Sequence, residues 1–287
     1  MLKVIFSQSR RYPQAGKIHS ITAFPSTFVK TRQVDVWLPN NYKPAERYAV
    51  LYMHDGQNLF DTESGFAGMT WAVDFAIQQL INANKIRKTI VVGVWNTPVR
   101  FREYLPAAAY TNLPDTLKKT LGNKKSVSPL SDAYLQFLVE ELKPYIDANY
   151  PVFTDPANTF VMGSSMGGLI SAYALAKYPE VFGGAGCLST HWPLAQETNS
   201  TDYSRPFMEW LRQNLPRDNH HRLYFDYGTE TLDKQYEIHQ KKMDEIMREI
   251  GYIEGQNWIT YKDKGGRHDE NSWRKRLAIP LEFLLQR

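Results

Sequence analysis

Hydrophobic and polar positions along this chain follow two periods. Residues 33–38 (Gln-Val-Asp-Val-Trp-Leu) alternate polar and apolar. That two-residue period predicts an early edge strand with one buried face. Residues 48–53 and 89–95 are almost continuously apolar, as strands buried on both faces are. Shorter apolar runs predict strands at 159–162, 181–188, 223–227 and 258–261. Apolar residues spaced by three and four predict helices at 71–80, 132–150, 169–178 and 236–250, and a last one from about Asn271. In the 132–150 helix, Tyr134, Phe137, Leu138, Leu142, Tyr145 and Ile146 share one side. Strand and helix alternate after about residue 45, which predicts an α/β fold with a mostly parallel sheet and crossover helices. Residues 96–131 break the rhythm with Pro98, Pro106, Pro114, Pro129 and Gly122-Asn123-Lys124-Lys125. They predict an irregular insertion, a feature uncommon in compact domains unless functional or disordered. The expectation is one domain over residues 1–287, with 96–131 at its rim.

Composition narrows the function classes. The chain of 287 residues is 43% hydrophobic and 13% aromatic, enough to close a core. Its net charge of +4 is spread along the sequence, with only short basic pairs such as Lys124-Lys125 and Lys241-Lys242. Nucleic-acid binding needs a clustered basic face, so no nucleic-acid partner is expected. The lone Cys187 excludes an intrachain disulfide and reads as a small buried hydrophobe. The N-terminal apolar run is too short for a signal segment, and no stretch has the ~18 apolar residues of a membrane span. A cytoplasmic protein without membrane partners is expected. No G-x-G-x-x-G follows the first strand, and neither a Walker A nor an H-E-x-x-H sequence occurs, so no cofactor and no metal are expected.

One motif carries chemistry. Residues 163–167 read Gly-Ser-Ser-Met-Gly, a G-x-S-x-G pattern between a predicted strand and a predicted helix. In that context the chain must turn sharply and push the central serine, Ser165, into the open. The flanking glycines remove Cβ atoms that would clash in the turn. The amide of Met166, at the helix start, can donate to an oxyanion with help from the helix dipole. Ser164 holds a variable position of the pattern and is expected to point elsewhere.

A serine needs a base to take its proton. In α/β-hydrolases the chain order is serine, acid, histidine. His268 follows the last predicted strand, the expected place. His239 lies in a charged helix and reads as solvated. His220-His221 precede a strand, the wrong end for a site in a parallel sheet. The acid should follow the 223–227 strand, where Glu230 and Asp233 are both available. Asp233 is preferred because it would lie at a helix start whose N–H groups keep it ionised. Rim candidates for substrate contact are His191, Trp192, Trp71, and Arg100, Arg102, Glu103 and Tyr104 of the insertion.

Several segments resemble a known family. Tyr52-Met53-His54-Asp55-Gly56-Gln57-Asn58-Leu59-Phe60-Asp61, residues 134–144, residues 163–168, and His268-Asp269-Glu270 with Trp273 are similar to the esterase D-type "putative esterase" family. Its members include feruloyl and acetyl-xylan esterases, siderophore esterases and mycolyl transferases. The resemblance runs from about residue 30 to the C-terminus; residues 1–29 carry none. It implies an α/β-hydrolase fold and acyl-ester chemistry without metal. It also implies Ser165 as nucleophile, His268 as base, Asp233 as acid, and a second oxyanion donor at Gly56-Gln57. The expected activity is hydrolysis of a small-molecule or carbohydrate ester, sugar-linked or with a small acyl group, through an acyl-enzyme. The alternatives are an acyltransferase with the same triad, a siderophore trilactone esterase and, last, a non-catalytic binding protein on the same scaffold.

Overall fold

The computed structural model describes residues 4–5, 14–121, 127–194 and 200–287. Among them, nine strands form one sheet in the order β1-β2-β3-β5-β4-β6-β7-β8-β9. Strands β1 (Val4–Ile5), β2 (Lys17–Phe24) and β3 (Arg32–Leu38) make an antiparallel flank, and β3 runs antiparallel to β5 (Thr89–Val94). From β5 onward every pairing is parallel: β4 (Ala49–His54), β6 (Thr159–Ser164), β7 (Gly184–Leu188), β8 (Arg222–Gly228) and β9 (Trp258–Asp263). Strands β4, β5, β6 and β7 are buried at every position, as their unbroken apolar runs require.

The helices in chain order are α1 (Val73–Asn82), α2 (Arg100–Tyr104), α3 (Ala107–Thr111), α4 (Asp115–Leu121), α5 (Ser131–Gln136), α6 (Lys143–Asn149), α7 (Met166–Lys177), α8 (Arg205–Asn214), α9 (Tyr236–Glu249), α10 (Glu270–Arg276) and α11 (Ala278–Leu285). The two-residue period of the strands splits the core into two layers. Val50, Tyr52, Val92, Val161 and Phe225 pack with α5 to α9 on one face. Leu51, Met53, Val91, Met162 and Tyr224 pack with α1, α10 and α11 on the other. Cys187 is fully buried, and burial pushes its thiol pKa up, consistent with an inert core residue.

Four expectations are corrected. Strand β3 is not at an edge, because β2 covers its outer side. The burial of β2 is irregular along Lys17–Phe24, and the strand has no clean alternation to read. Residues 96–131 are not irregular throughout, since they hold α2, α3 and α4. Pro106 caps α3, and Pro114 lies just ahead of α4. At a helix start the missing N–H costs nothing, so these prolines begin helices instead of breaking them. Gly122 to Lys125 lie outside the described residues. The 132–150 helix is interrupted by a π segment, Phe137–Leu142. Pro144 has no N–H for the regular ladder, and the turns ahead of it widen. His239 is not solvated: it is fully buried, its Nδ1 paired with Ser204 Oγ at 2.9 Å. The cover comes from α8, which pattern reading missed.

Strand order places the site. The connection from β4 returns to β5 on one side, while β6 lies on the other. In open parallel sheets, ligands bind at the carboxyl ends of strands where the order reverses in this way.

Candidate active site

Three tight turns follow the carboxyl ends of adjacent parallel strands. Asp55 after β4 has φ 57°, Ser165 after β6 has φ 59°, and Ser189 after β7 has φ 40°. Left-handed backbone is uncommon away from glycine and costs about 1–3 kcal/mol at each position. These three residues stand together at the carboxyl edge of the parallel sheet.

The Ser165 turn is held from both sides. Its N–H donates to the Leu188 carbonyl at 2.9 Å, and its own carbonyl accepts from the N–H of Gly168 at 3.0 Å and of His191 at 3.1 Å. Glycine is required around it. A Cβ on Gly163 would lie 2.9 Å from the Gly167 carbonyl, and one on Gly168 would lie 2.8 Å from Thr190 Oγ1. Met166 opens α7 directly after the serine.

A cavity of about 310 Å³ lies over this turn, lined by Asp55, Gln57, Asn58, Phe66, Asn96, Arg100, Ser164, Ser165, His268, Glu270 and Trp273. Ser165 is half-buried there, whereas Ser164 reaches the same cavity but is only 5% exposed. Gly56 to Asn58 form a single 3-10 turn after β4. Gly56 presses against β5, where a Cβ would stand 2.7 Å from the Gly93 carbonyl carbon. Gln57 therefore faces the cavity, its Oε1 accepting from the Asn96 N–H at 3.2 Å.

His268 Nδ1 lies 2.6 Å from Asp233 Oδ1. Asp233 sits in a 3-10 turn, Thr231–Gln235, and is fully buried. Burial alone would raise its carboxyl pKa. The His268 imidazole, the Ser189 hydroxyl and the Gly228 N–H more than offset this and hold it below the usual carboxylate range. An ionised Asp233 only accepts hydrogen bonds, so Nδ1 is the donor of this pair and Nε2 is turned away from the carboxylate. The imidazole ring meets Trp273 edge-on at 5.1 Å and Tyr236 edge-on at 5.8 Å. Glu230, the other acid considered, is exposed.

The opposite wall is charged. Asp55 is bound by Arg100 and by Asn96 Nδ2 at 2.6 Å. Burial would push the Asp55 carboxyl up, but Arg100 and Asn96 outweigh it and keep the group ionised. Glu270 accepts from Asn58 Nδ2 at 3.2 Å, and its burial raises its carboxyl pKa. Beneath the turn, His54 is buried with Nδ1 2.8 Å from Tyr134 OH, and desolvation lowers its pKa to about 3.

Of the rim candidates, Arg100 alone lines this cavity, and Glu103 and Tyr104 are buried. Trp192 is 1% exposed, its Nε1 bound to Gln240. Trp71 is buried behind Trp273, with ring centroids 5.5 Å apart. Arg102 borders a different cavity and donates to the Ser128 carbonyl at 2.7 Å. His191 touches the Ser165 turn through its backbone and pairs Nδ1 with Tyr236 OH at 2.6 Å. Lining residues Asn58, Phe66, Asn96, Glu270 and Trp273 went unassigned as substrate contacts. Their signal was position: each lies within about a dozen residues of the carboxyl end of a strand. No group of three or more His, Cys, Asp or Glu residues suited to a metal is found among the described residues. None of their helices is long and apolar enough to cross a membrane.

Comparison with known proteins agrees with this architecture. Residues 26–284 match the family described as "Putative esterase". An uncharacterized protein of Bacillus subtilis, YbbA, is 24% identical over 262 residues, covering 88% of this chain and 92% of that protein. An endo-1,4-beta-xylanase/feruloyl esterase of Xylanibacter ruminicola is 27% identical over 179 residues, which is 61% of this chain and 22% of that longer protein. Among solved structures, an IroE-like serine hydrolase from Shewanella oneidensis superposes with a TM-score of 0.69 at 19% identity, over 93% of this chain and 80% of that one. A ferulic acid esterase from Anaeromyces mucronatus gives 0.63 at 16% identity, over 96% and 93%. The enterobactin esterase of Shigella flexneri gives 0.66 at 18% identity, over 96% and 60%. The α/β-hydrolase fold and the family match together identify this chain as a member of the putative esterase family, a serine esterase that hydrolyses carboxylic esters.

Proposed function

We propose that Ser165, His268 and Asp233 form the catalytic triad of this esterase, and that it acts on a sugar-linked or small acyl ester. The observation that carries the reading is the 2.6 Å contact of His268 Nδ1 with Asp233, in a residue that lines one cavity with the strained Ser165. His268 Nε2 takes the Ser165 Oγ proton as that oxygen attacks the ester carbonyl. The amides of Met166 and of the Gly56-Gln57 turn hold the oxyanion. His268 then returns the proton to the leaving alcohol, and water repeats the sequence on the acyl-enzyme.

The cavity argues for the substrate class. About 310 Å³ is at the small end for ligand sites and suits one ring-sized group. Asn58, Asn96, Arg100 and Glu270 offer hydrogen bonds to hydroxyls, and Phe66 and Trp273 offer flat apolar contact. The feruloyl esterase similar to this chain adds weight to a ring-bearing acyl group. The test is a panel of acetyl, butyryl, feruloyl and trilactone esters, run with the wild type and Ser165→Ala. Turnover of the first three at higher kcat/KM than the trilactone, abolished in the variant, is expected. A preference for the trilactone would reverse the substrate reading.

A further inference from the structure

A buried polar cluster stands behind the Asp233–His268 pair, and Ser189 is its centre. Ser189 Oγ lies 2.5 Å from Asp233 Oδ2, 2.9 Å from Trp273 Nε1 and 2.8 Å from Arg276 Nη2. The indole N–H and the guanidinium can only donate. They occupy both lone pairs of the hydroxyl, so its single proton can point only at Asp233. The rotor of Ser189 is thus fixed by its surroundings.

The next layer is as constrained. Arg276 spans two more carboxylates: Nε and Nη2 meet Asp226 at 3.0 and 2.8 Å, and Nη1 meets Asp263 at 2.9 Å. Asp226, fully buried, also accepts from the Ser189 N–H at 2.8 Å and from Tyr224 OH at 2.9 Å. Asp233 Oδ2 takes the Ser189 hydroxyl and the Gly228 N–H at 2.7 Å, which leaves Oδ1 for His268. The partners come from β8 (Tyr224, Asp226 and Gly228), the end of β9 (Asp263) and α10 (Trp273 and Arg276), with Ser189 itself directly after β7. Ser189 is 0% exposed and cannot reach substrate.

We propose that Ser189 is a positioning residue for catalysis: its hydroxyl, oriented by Trp273 and Arg276, locks the Asp233 carboxylate in the rotamer that aims Oδ1 at His268 Nδ1. The inference rests on the triad reading above. It gives the left-handed backbone at Ser189 a purpose, since φ 40° is the strain accepted to bring that hydroxyl under Asp233. It also makes Trp273 serve twice, as cavity wall and as donor to the relay.

Two variants separate positioning from backbone support. Ser189→Ala removes the hydroxyl and keeps the Cβ. Ser189→Gly removes the hydroxyl and relieves the strain. A hydrogen bond to a charged partner corresponds to roughly tenfold to a hundredfold in rate. Both variants should lose that much kcat with KM within about twofold. Both should also move the acid limb of the kcat/KM profile upward, because a carboxylate stripped of a donor binds the imidazolium more tightly. The far-downfield proton resonance of His268 Nδ1–H should shift or broaden equally in the two. Ser165→Ala is run beside them. If Ser165→Ala is inactive while Ser189→Ala and Ser189→Gly keep wild-type kcat, pH profile and resonance, the Ser189 proposal alone is overturned. If Ser189→Gly recovers activity that Ser189→Ala loses, the role is backbone support and the proposal is overturned. If Ser165→Ala keeps activity, the triad reading and this one fall together.

Discussion

Arg100 grips the Asp55 carboxylate with two hydrogen bonds, 2.7 Å from Nε and 2.8 Å from Nη2, across the wall of the cavity that holds Ser165. The pair ties α2 to the turn after β4 and so fixes Gly56-Gln57. Removing one partner leaves the other charge largely desolvated. Arg100→Met is expected to cost about 3 kcal/mol in urea unfolding. Adding Asp55→Asn should recover most of that loss. A single variant as stable as wild type would mean the pair contributes nothing to the turn.

Ser165→Ala should lower kcat by about four orders of magnitude with the fold intact. Ser164→Ala should cost less than about tenfold, because that side chain is buried beside the cavity and has no base within the proposed mechanism. Steady-state kinetics on one ester with circular dichroism of both variants checks this. Equal activity in the two would refute the assignment of the nucleophile.

Asp233→Asn should lose roughly 10³ to 10⁴ in kcat, since an amide no longer fixes the His268 tautomer. Glu230→Gln, on an exposed side chain, should lose less than about tenfold. Melting of both variants must accompany the kinetics, because Asp233 also holds the Gly228 N–H and the Ser189 hydroxyl. The reverse ranking at matched stability would exchange the two residues.

Acid stability carries the mark of His54. Its folded pKa is about 3 against an ordinary 6.5, with burial as the largest cause. Between those values the unfolded chain binds a proton that the folded chain does not. Stability therefore falls as pH drops through this window, by about 1.4 kcal/mol per pH unit from this group. The depressed carboxyls of Asp55 and Asp233 act lower down: their contribution is present above the unfolded carboxylate pKa and is lost as pH falls through their folded values. Urea titrations from pH 7 to 4 should show a flatter slope in His54→Asn than in wild type. An identical slope would mean that His54 titrates normally in the folded protein.

Local periodicity made the central strands legible, because strands buried on both faces admit little but apolar side chains. The Gly163 to Gly167 turn was legible for a similar reason: its backbone allows no Cβ at Gly163, and that demand is written in the residues themselves. Chain order pointed to His268 and to two carboxylates, but both lie on one short segment and sequence distance cannot separate them. Only the fold buries Asp233 under Ser189 and leaves Glu230 in solvent. The same holds for the rim. Trp71, Trp192 and Arg102 sit in loops of the right rank, yet packing turns them away from the cavity, while Asn58, Phe66 and Glu270 turn in. Which side of a loop faces a cleft is decided by contacts between residues far apart in the chain, such as Asn58 with Glu270 and Ser189 with Arg276. Local pattern sets strand, helix and turn through the backbone; long-range contacts choose which side chains meet, and the site is made of those meetings.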